Sequence, residues 1–252
     1  MKIVNLKTQI PIFYVGKDLS EGPLPAVFYF ALSAEESLVI APYNSPATNL
    51  QQANIRVFSV DLPFHGKDLP ATEALGYWAQ NIQEGTDFLG NFLNDLENSV
   101  TDLIHSGLID LKNVAAAGLS RGCFIATHLA ARIPTITHLL AFAPLTHMEN
   151  IKEFELLKNS IFIEKHKLCH IEQALIHKNI KTYIGGRDTR VNTDLCYKWI
   201  RSLIEKAYEH KIKSPHIELV LKPSIGHQGH GTSKESFEEG SLWLINKLSS
   251  NA

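Results

Sequence analysis

Val114-Ala115-Ala116-Ala117-Gly118-Leu119-Ser120-Arg121-Gly122-Cys123-Phe124-Ile125-Ala126-Thr127-His128-Leu129-Ala130 is the stretch on which the reading of this chain turns. A short run of small apolar residues meets a Gly-x-Ser-x-Gly and passes directly into an amphipathic helical pattern. A chain that turns this sharply from strand to helix holds its serine in a strained backbone conformation and lifts the hydroxyl clear of the sheet. Gly118 and Gly122, two residues to either side of Ser120, keep neighbouring backbone from clashing. The first N–H groups of the helix then point at the same space as the hydroxyl. A bare Gly-x-Ser-x-Gly arises often by chance, and an ordinary turn serine is the alternative. The strand before it and the helix after it favour a nucleophile.

Outward from this stretch, strands and helices alternate. Ile10–Val15 reads as a strand on or near an edge, because Pro11 lacks a donor. Gly22-Pro23-Leu24-Pro25 reads as a turn, and Ala26–Leu32 is a continuous apolar run suited to a strand buried on both faces. Ser33 and Glu36 form a capping-box pair opening a helix that Pro42 and Pro46 keep short. Ile55–Val60 is the next strand, ending in Asp61-Leu62-Pro63-Phe64-His65-Gly66. Apolar residues from Leu75 to Ile104 step by three and four, as in one or two helices with one buried face, and Gly107 is a stop. After the Ser120 helix come a strand at Thr137–Ala143, a strand at Ile180–Gly186, a helix carrying Trp199 and Leu203, and a strand at His216–Leu221. A closing helix spans Thr232–Leu248 with Phe237, Leu242, Trp243, Ile245 and Leu248 expected on its buried side. Residues 146–178 are helical in pattern and contain no strand signal. They read as an insertion capping the end of the sheet. Its Ile151, Phe154, Leu156, Leu157, Ile161, Phe162 and Ile163 are expected to pack on the core rather than line an acyl site.

This alternation predicts an α/β fold with a mostly parallel central sheet covered by helices on both faces and a small helical insertion after the sixth strand. The whole chain, 1–252, reads as one domain. The apolar fraction of 44% and the charged fraction of 20% are those of an ordinary soluble domain. A formal net charge of −2 gives no electrostatic case for nucleic acid or an anionic membrane. Cys123, Cys169 and Cys196 are too few and too widely spaced for a disulfide framework. With no apolar signal segment at Met1–Lys7 and no apolar run long enough to span a membrane, the expected compartment is the cytoplasm.

In such sheets sites lie at the carboxyl ends of the strands. A serine hydroxyl becomes a nucleophile when a base takes its proton and an acid orients the base. The acid candidate is Asp188, just past a buried strand and two glycines. Asp194 reads as a cap of the next helix. The base candidates are His227 and His230, both between the last strand and the last helix. His227 is preferred because it follows its strand more closely and has Gly226 beside it. The order serine, acid, histidine is that of a strand-to-helix serine site. The oxyanion donors are expected to be the backbone N–H of Arg121 and that of Leu32 or Ser33.

Taken together, these residues resemble an α/β-hydrolase, and among those the small serine hydrolases near the prolyl-oligopeptidase and dienelactone-hydrolase branches. Gly118–Gly122 matches that family's elbow. Asp61–Gly66 resembles its Asp-x-Pro-x-His-Gly loop, Gly186–Val191 its acid loop, and Ile225-Gly226-His227 its Gly-His loop. The resemblance covers the chain from about residue 25. It implies Ser120 as nucleophile, Asp188 as acid and His227 as base, with no metal and no organic cofactor. The expected substrate is a small-molecule carboxylic ester or thioester. The alternatives are an amide or short peptide, or a non-catalytic binding protein on the same scaffold.

Overall fold

The computed structural model describes residues 1–66 and 69–249. Its strands are β1 (Lys2–Ile3), β2 (Phe13–Val15), β3 (Leu24–Phe30), β4 (Arg56–Ser59), β5 (Ile109–Leu119), β6 (His138–Phe142), β7 (Asn179–Gly185) and β8 (Ile217–Lys222). Its helices are α1 (Ala34–Leu38), α2 (Ser45–Gln52), α3 (Ala74–Gln83), α4 (Phe88–His105), α5 (Arg121–Arg132), α6 (Ile161–Lys165), α7 (Glu172–Leu175), α8 (Thr193–Glu209) and α9 (Lys234–Ser249). The strands form one sheet in the order β1-β2-β4-β3-β5-β6-β7-β8. The β1–β2 and β2–β4 pairs are antiparallel and the rest are parallel.

Burial on both faces explains the continuous apolar runs. On β3, Ala26, Phe28 and Phe30 enter one core while Val27 and Tyr29 enter the other. On β5, Val114 and Ala116 face the first core and Ala115 and Ala117 the second. The small β5 side chains let helices come close on either side. Pro25 lies inside β3, not in a preceding turn, and the β3–β5 register shifts between Leu24 and Ala26. A proline has no N–H to give the ladder, so the irregularity falls where the donor is missing.

Helix α1 opens with the expected capping box. Ser33 Oγ accepts from Glu36 N at 3.1 Å, and Glu36 Oε2 accepts from Ser33 N at 3.1 Å. In α9 the buried stripe runs Phe237, Gly240 and Ser241, Leu244, Leu248. Leu242 is 57% exposed, against expectation, because its position on a 3.6-residue helix points away from that stripe. No helix among the described residues is long and apolar enough to cross a membrane.

Residues 146–178 form short helices and 3-10 turns. Ile151, Phe154 and Ile163 join the core, as expected, but Leu156 and Ile161 are exposed. His166 ties this segment to two helices. Its ring Nε2 meets Asp87 Oδ1 at 2.9 Å, and its carbonyl accepts from His128 Nε2, on α5, at 3.0 Å. The segment braces the helix that begins at the nucleophile.

Candidate active site

Between β5 and α5, Ser120 adopts φ 54° and ψ −118°, a conformation that side-chain-bearing residues rarely take. The surroundings hold it there. Ser120 N donates to Phe142 O at 2.8 Å, and Ser120 O accepts from Cys123 N at 3.0 Å and Leu145 N at 3.1 Å. A Cβ on Gly122 would stand 2.0 Å from Phe30 O, and one on Gly118 would stand 2.5 Å from Cys123 N. Both glycines are therefore steric necessities of the turn.

Asp188 and His230 complete a hydrogen-bonded chain to Ser120. Asp188 Oδ1 accepts from Arg190 N at 2.9 Å and Val191 N at 3.0 Å, which orients the carboxylate. Its Oδ2 stands 2.7 Å from His230 Nδ1, and His230 Nε2 stands 2.9 Å from Ser120 Oγ. A proton held on Nδ1 by the carboxylate leaves Nε2 free to accept from the serine. Asp188 has a fully enclosed side chain, while that of His230 is 25% exposed.

The histidine expectation is corrected here: the geometry joins His230, not His227, to Ser120. The loop beyond β8 folds back on itself, with Gly231 N donating to Ile225 O at 3.0 Å and Gly229 N to Gly226 O at 3.1 Å. Gly226 and Gly229 turn through φ 78° and φ 70°. His227 sits exposed on the turn. Gly229 passes so close to the acid loop that a Cβ on it would stand 2.0 Å from Arg187 O. This approach delivers the next residue, His230, to Asp188. Asp194 also differs from expectation: Asn192 caps α8, its side chain accepting from Leu195 N at 3.1 Å, and Asp194 lies in the first turn.

Of the expected oxyanion donors, Arg121 N opens α5, where the first N–H groups have no partner within the helix. Among the described residues Leu32 N is engaged only by a long bond to Ser37 Oγ, 3.3 Å. Ser33 N is committed to Glu36 in the capping box, which removes it as the alternative.

Ser120, His230, Leu32 and Arg121 line a cavity of about 580 Å³. Pro42 and Tyr43, Ala71 and Thr72, and the 225–232 loop with His227 also contribute to its wall. None of the described residues of 146–178 lines it, so the segment expected as a cap does not shape this cavity. The sequence pattern assigns no role to His65 and, at Arg121, only the backbone donor. In the structure Arg121 Nη1 donates to Ala71 O at 2.8 Å and meets His65 Nε2 at 3.2 Å, while His65 Nδ1 meets Pro63 O at 2.9 Å. Burial, and then the nearby Arg121 charge, push the His65 pKa down, so the ring is a neutral acceptor at Nε2. The signal was the spacing of Pro63 and His65, which lets one ring bond its own loop and still offer a lone pair. Among the described residues no cluster of three or more His, Cys, Asp or Glu is placed to hold a metal ion.

The sheet order, the strained serine between β5 and α5, and the serine–histidine–acid chain at the carboxyl ends of the strands decide the fold. It is the α/β-hydrolase fold. TT1662 from Thermus thermophilus superposes on the chain with a TM-score of 0.71 at 15% identity, over 98% of each chain. An S-formylglutathione hydrolase from Agrobacterium tumefaciens gives 0.59 at 15%, over 98% of this chain and 92% of that one. The acylaminoacyl peptidase of Pyrococcus horikoshii gives 0.66 at 11%, over 97% of this chain and 40% of that larger one. No protein-family model and no curated protein matches the chain. Within this α/β-hydrolase fold the antiparallel β1 and β2 form the edge away from Ser120, and Asp188 and His230 follow β7 and β8 on the other side.

Proposed function

We propose that the protein is a serine hydrolase acting on a small carboxylic ester or thioester through an acyl-enzyme on Ser120. The observation that carries this reading is the continuous hydrogen-bonded chain from Asp188 through His230 to Ser120 Oγ. Ser120 Oγ attacks the carbonyl carbon as its proton passes to His230 Nε2. The carbonyl oxygen takes up negative charge facing the N–H of Arg121, with that of Leu32 as the second donor. The bond to the alcohol or thiol then breaks, and His230 returns the proton to the leaving group. Water gives a proton to His230 and attacks the acyl carbon. The acid departs, and the proton goes back to Ser120.

The same chain serves amide cleavage. The cavity favours the ester reading over an aminopeptidase, because none of the described residues lining it carries a carboxylate to hold a free peptide amino group. Three unbridged cysteines support a reducing compartment, and with it the cytoplasm. The test is fluorophosphonate labelling of wild type, Ser120→Ala, His230→Ala and His227→Ala, followed by parallel ester and peptide panels. Labelling lost in the first two variants and kept in the third supports an activated serine served by His230. Unlabelled wild type of intact fold sinks the reading in favour of a binding protein.

A further inference from the structure

Among the described residues the Arg121 side chain is a charge without a paired counter-ion. Its Nη1 bonds a carbonyl and a neutral ring, its Nε finds no acceptor, and no carboxylate pairs with it among the described residues. The acids that influence it are committed elsewhere. Glu153 holds Arg190 through both oxygens, at 2.8 and 2.6 Å, and Glu36 closes the α1 capping box. Burial, and then Arg190, lower the Arg121 pKa to about 10, so it stays protonated near neutrality while its charge is poorly solvated.

A second observation concerns the space beside it. Although Asp and Glu outnumber Lys and Arg by 26 to 24, the cavity is lined by Arg121, His227 and His230 and by no acidic side chain among the described residues. Apolar Leu32, Tyr43 and Ile225 complete much of the wall. An apolar pocket beside a cation that no described carboxylate pairs, next to the nucleophile, selects a molecule with an apolar body and a negative charge. We infer that the substrate is an ester or thioester bearing a second, anionic group, a carboxylate, held in the cavity by the Arg121 guanidinium. His65 is the positioning residue that aims Arg121, through its bond to Nη1. The inference rests on the hydrolase reading for the identity of the scissile bond, and on the acid-free cavity for the charge.

The test compares 4-nitrophenyl hydrogen glutarate with its neutral counterpart, 4-nitrophenyl methyl glutarate. Wild type is expected to favour the anionic ester by at least tenfold in kcat/KM. Arg121→Gln should lower that ratio at least tenfold, and Arg121→Lys should lower it less. Taking the ratio within each variant cancels any general effect on the Arg121 backbone donor. A ratio near one in wild type, or one unchanged in Arg121→Gln, overturns the inference. A second arm needs no turnover: Ser120→Ala should bind monomethyl glutarate by calorimetry, with Kd raised at least tenfold by adding Arg121→Gln. Equal binding by the two variants also overturns it. The two readings fail separately. A labelled wild type with a flat ratio loses only the anion subsite, whereas an unlabelled wild type with Arg121-dependent binding loses only the hydrolase.

Discussion

His230→Ala removes the one acceptor that Ser120 Oγ has among the described residues. Phosphonylation of Ser120 by fluorophosphonate should slow by roughly 10⁴-fold or more, with the fold intact by circular dichroism. His227→Ala, on the exposed side of the same loop, should change that rate less than about tenfold, since its ring orients nothing in the proton path. Asp188→Asn should cost about 10³-fold to 10⁴-fold, because an amide facing Nδ1 lets the ring hold the wrong tautomer. The residue types of this site were legible in the chain, and so were Ser120 and Asp188 as positions. The choice between two Gly-His pairs was not. Strand proximity favoured Gly226-His227, whereas the close passage of Gly229 beside Arg187 O decides it, and that passage exists only once the two loops have met.

At the scale of the element, the elbow is the least tolerant part of the chain. Gly122→Ala would place a methyl 2.0 Å from Phe30 O, so α5 must retreat from β3 or β3 must distort. The expected result is loss of fluorophosphonate labelling together with a lower Tm, a pairing that separates it from the triad variants. Ser33→Ala removes the α1 cap without touching the site and should lower stability by about 1 kcal/mol in a denaturant titration. The strands were readable because parallel sheets bury both faces, so β3 and β6 stand out as unbroken apolar runs. Apolar spacing alone does not select the buried face of α9, since a helix covering half a sheet has several nearly equivalent apolar stripes; packing on Phe142 and Leu140 selects one and turns Leu242 outward. Residues 146–178 are helical in pattern, but their position beside α5 depends on Asp87 and His128, partners far away in sequence.

For the whole molecule, buried histidines set the response to acid. Burial lowers the His128 pKa to about 3 and that of His138 to about 4, from 6.5. The unfolded chain therefore binds more protons than the native one below about pH 6.5, and stability falls as pH drops from there toward 3. Burial opposes ionisation of Asp87, but Lys165 and His166 hold it at about 2, so its contribution is lost only in stronger acid. Thermal melts at pH 7 and pH 4 should show a clear drop in Tm. His128→Gln, which keeps a donor for His166 O, should shrink that drop.

The cavity wall and the brace on α5 come from separate stretches of chain. Pro42, Tyr43, Thr72 and the 225–232 loop face the substrate space, while 146–178 supports the helix behind Ser120. Preference and robustness can therefore be inherited and altered independently. Lineages that exchange the exposed Thr72 can explore new substrates while α5 keeps its brace, and those that remodel 146–178 can adapt to temperature or acidity so long as Glu153 still holds Arg190 in the acid loop.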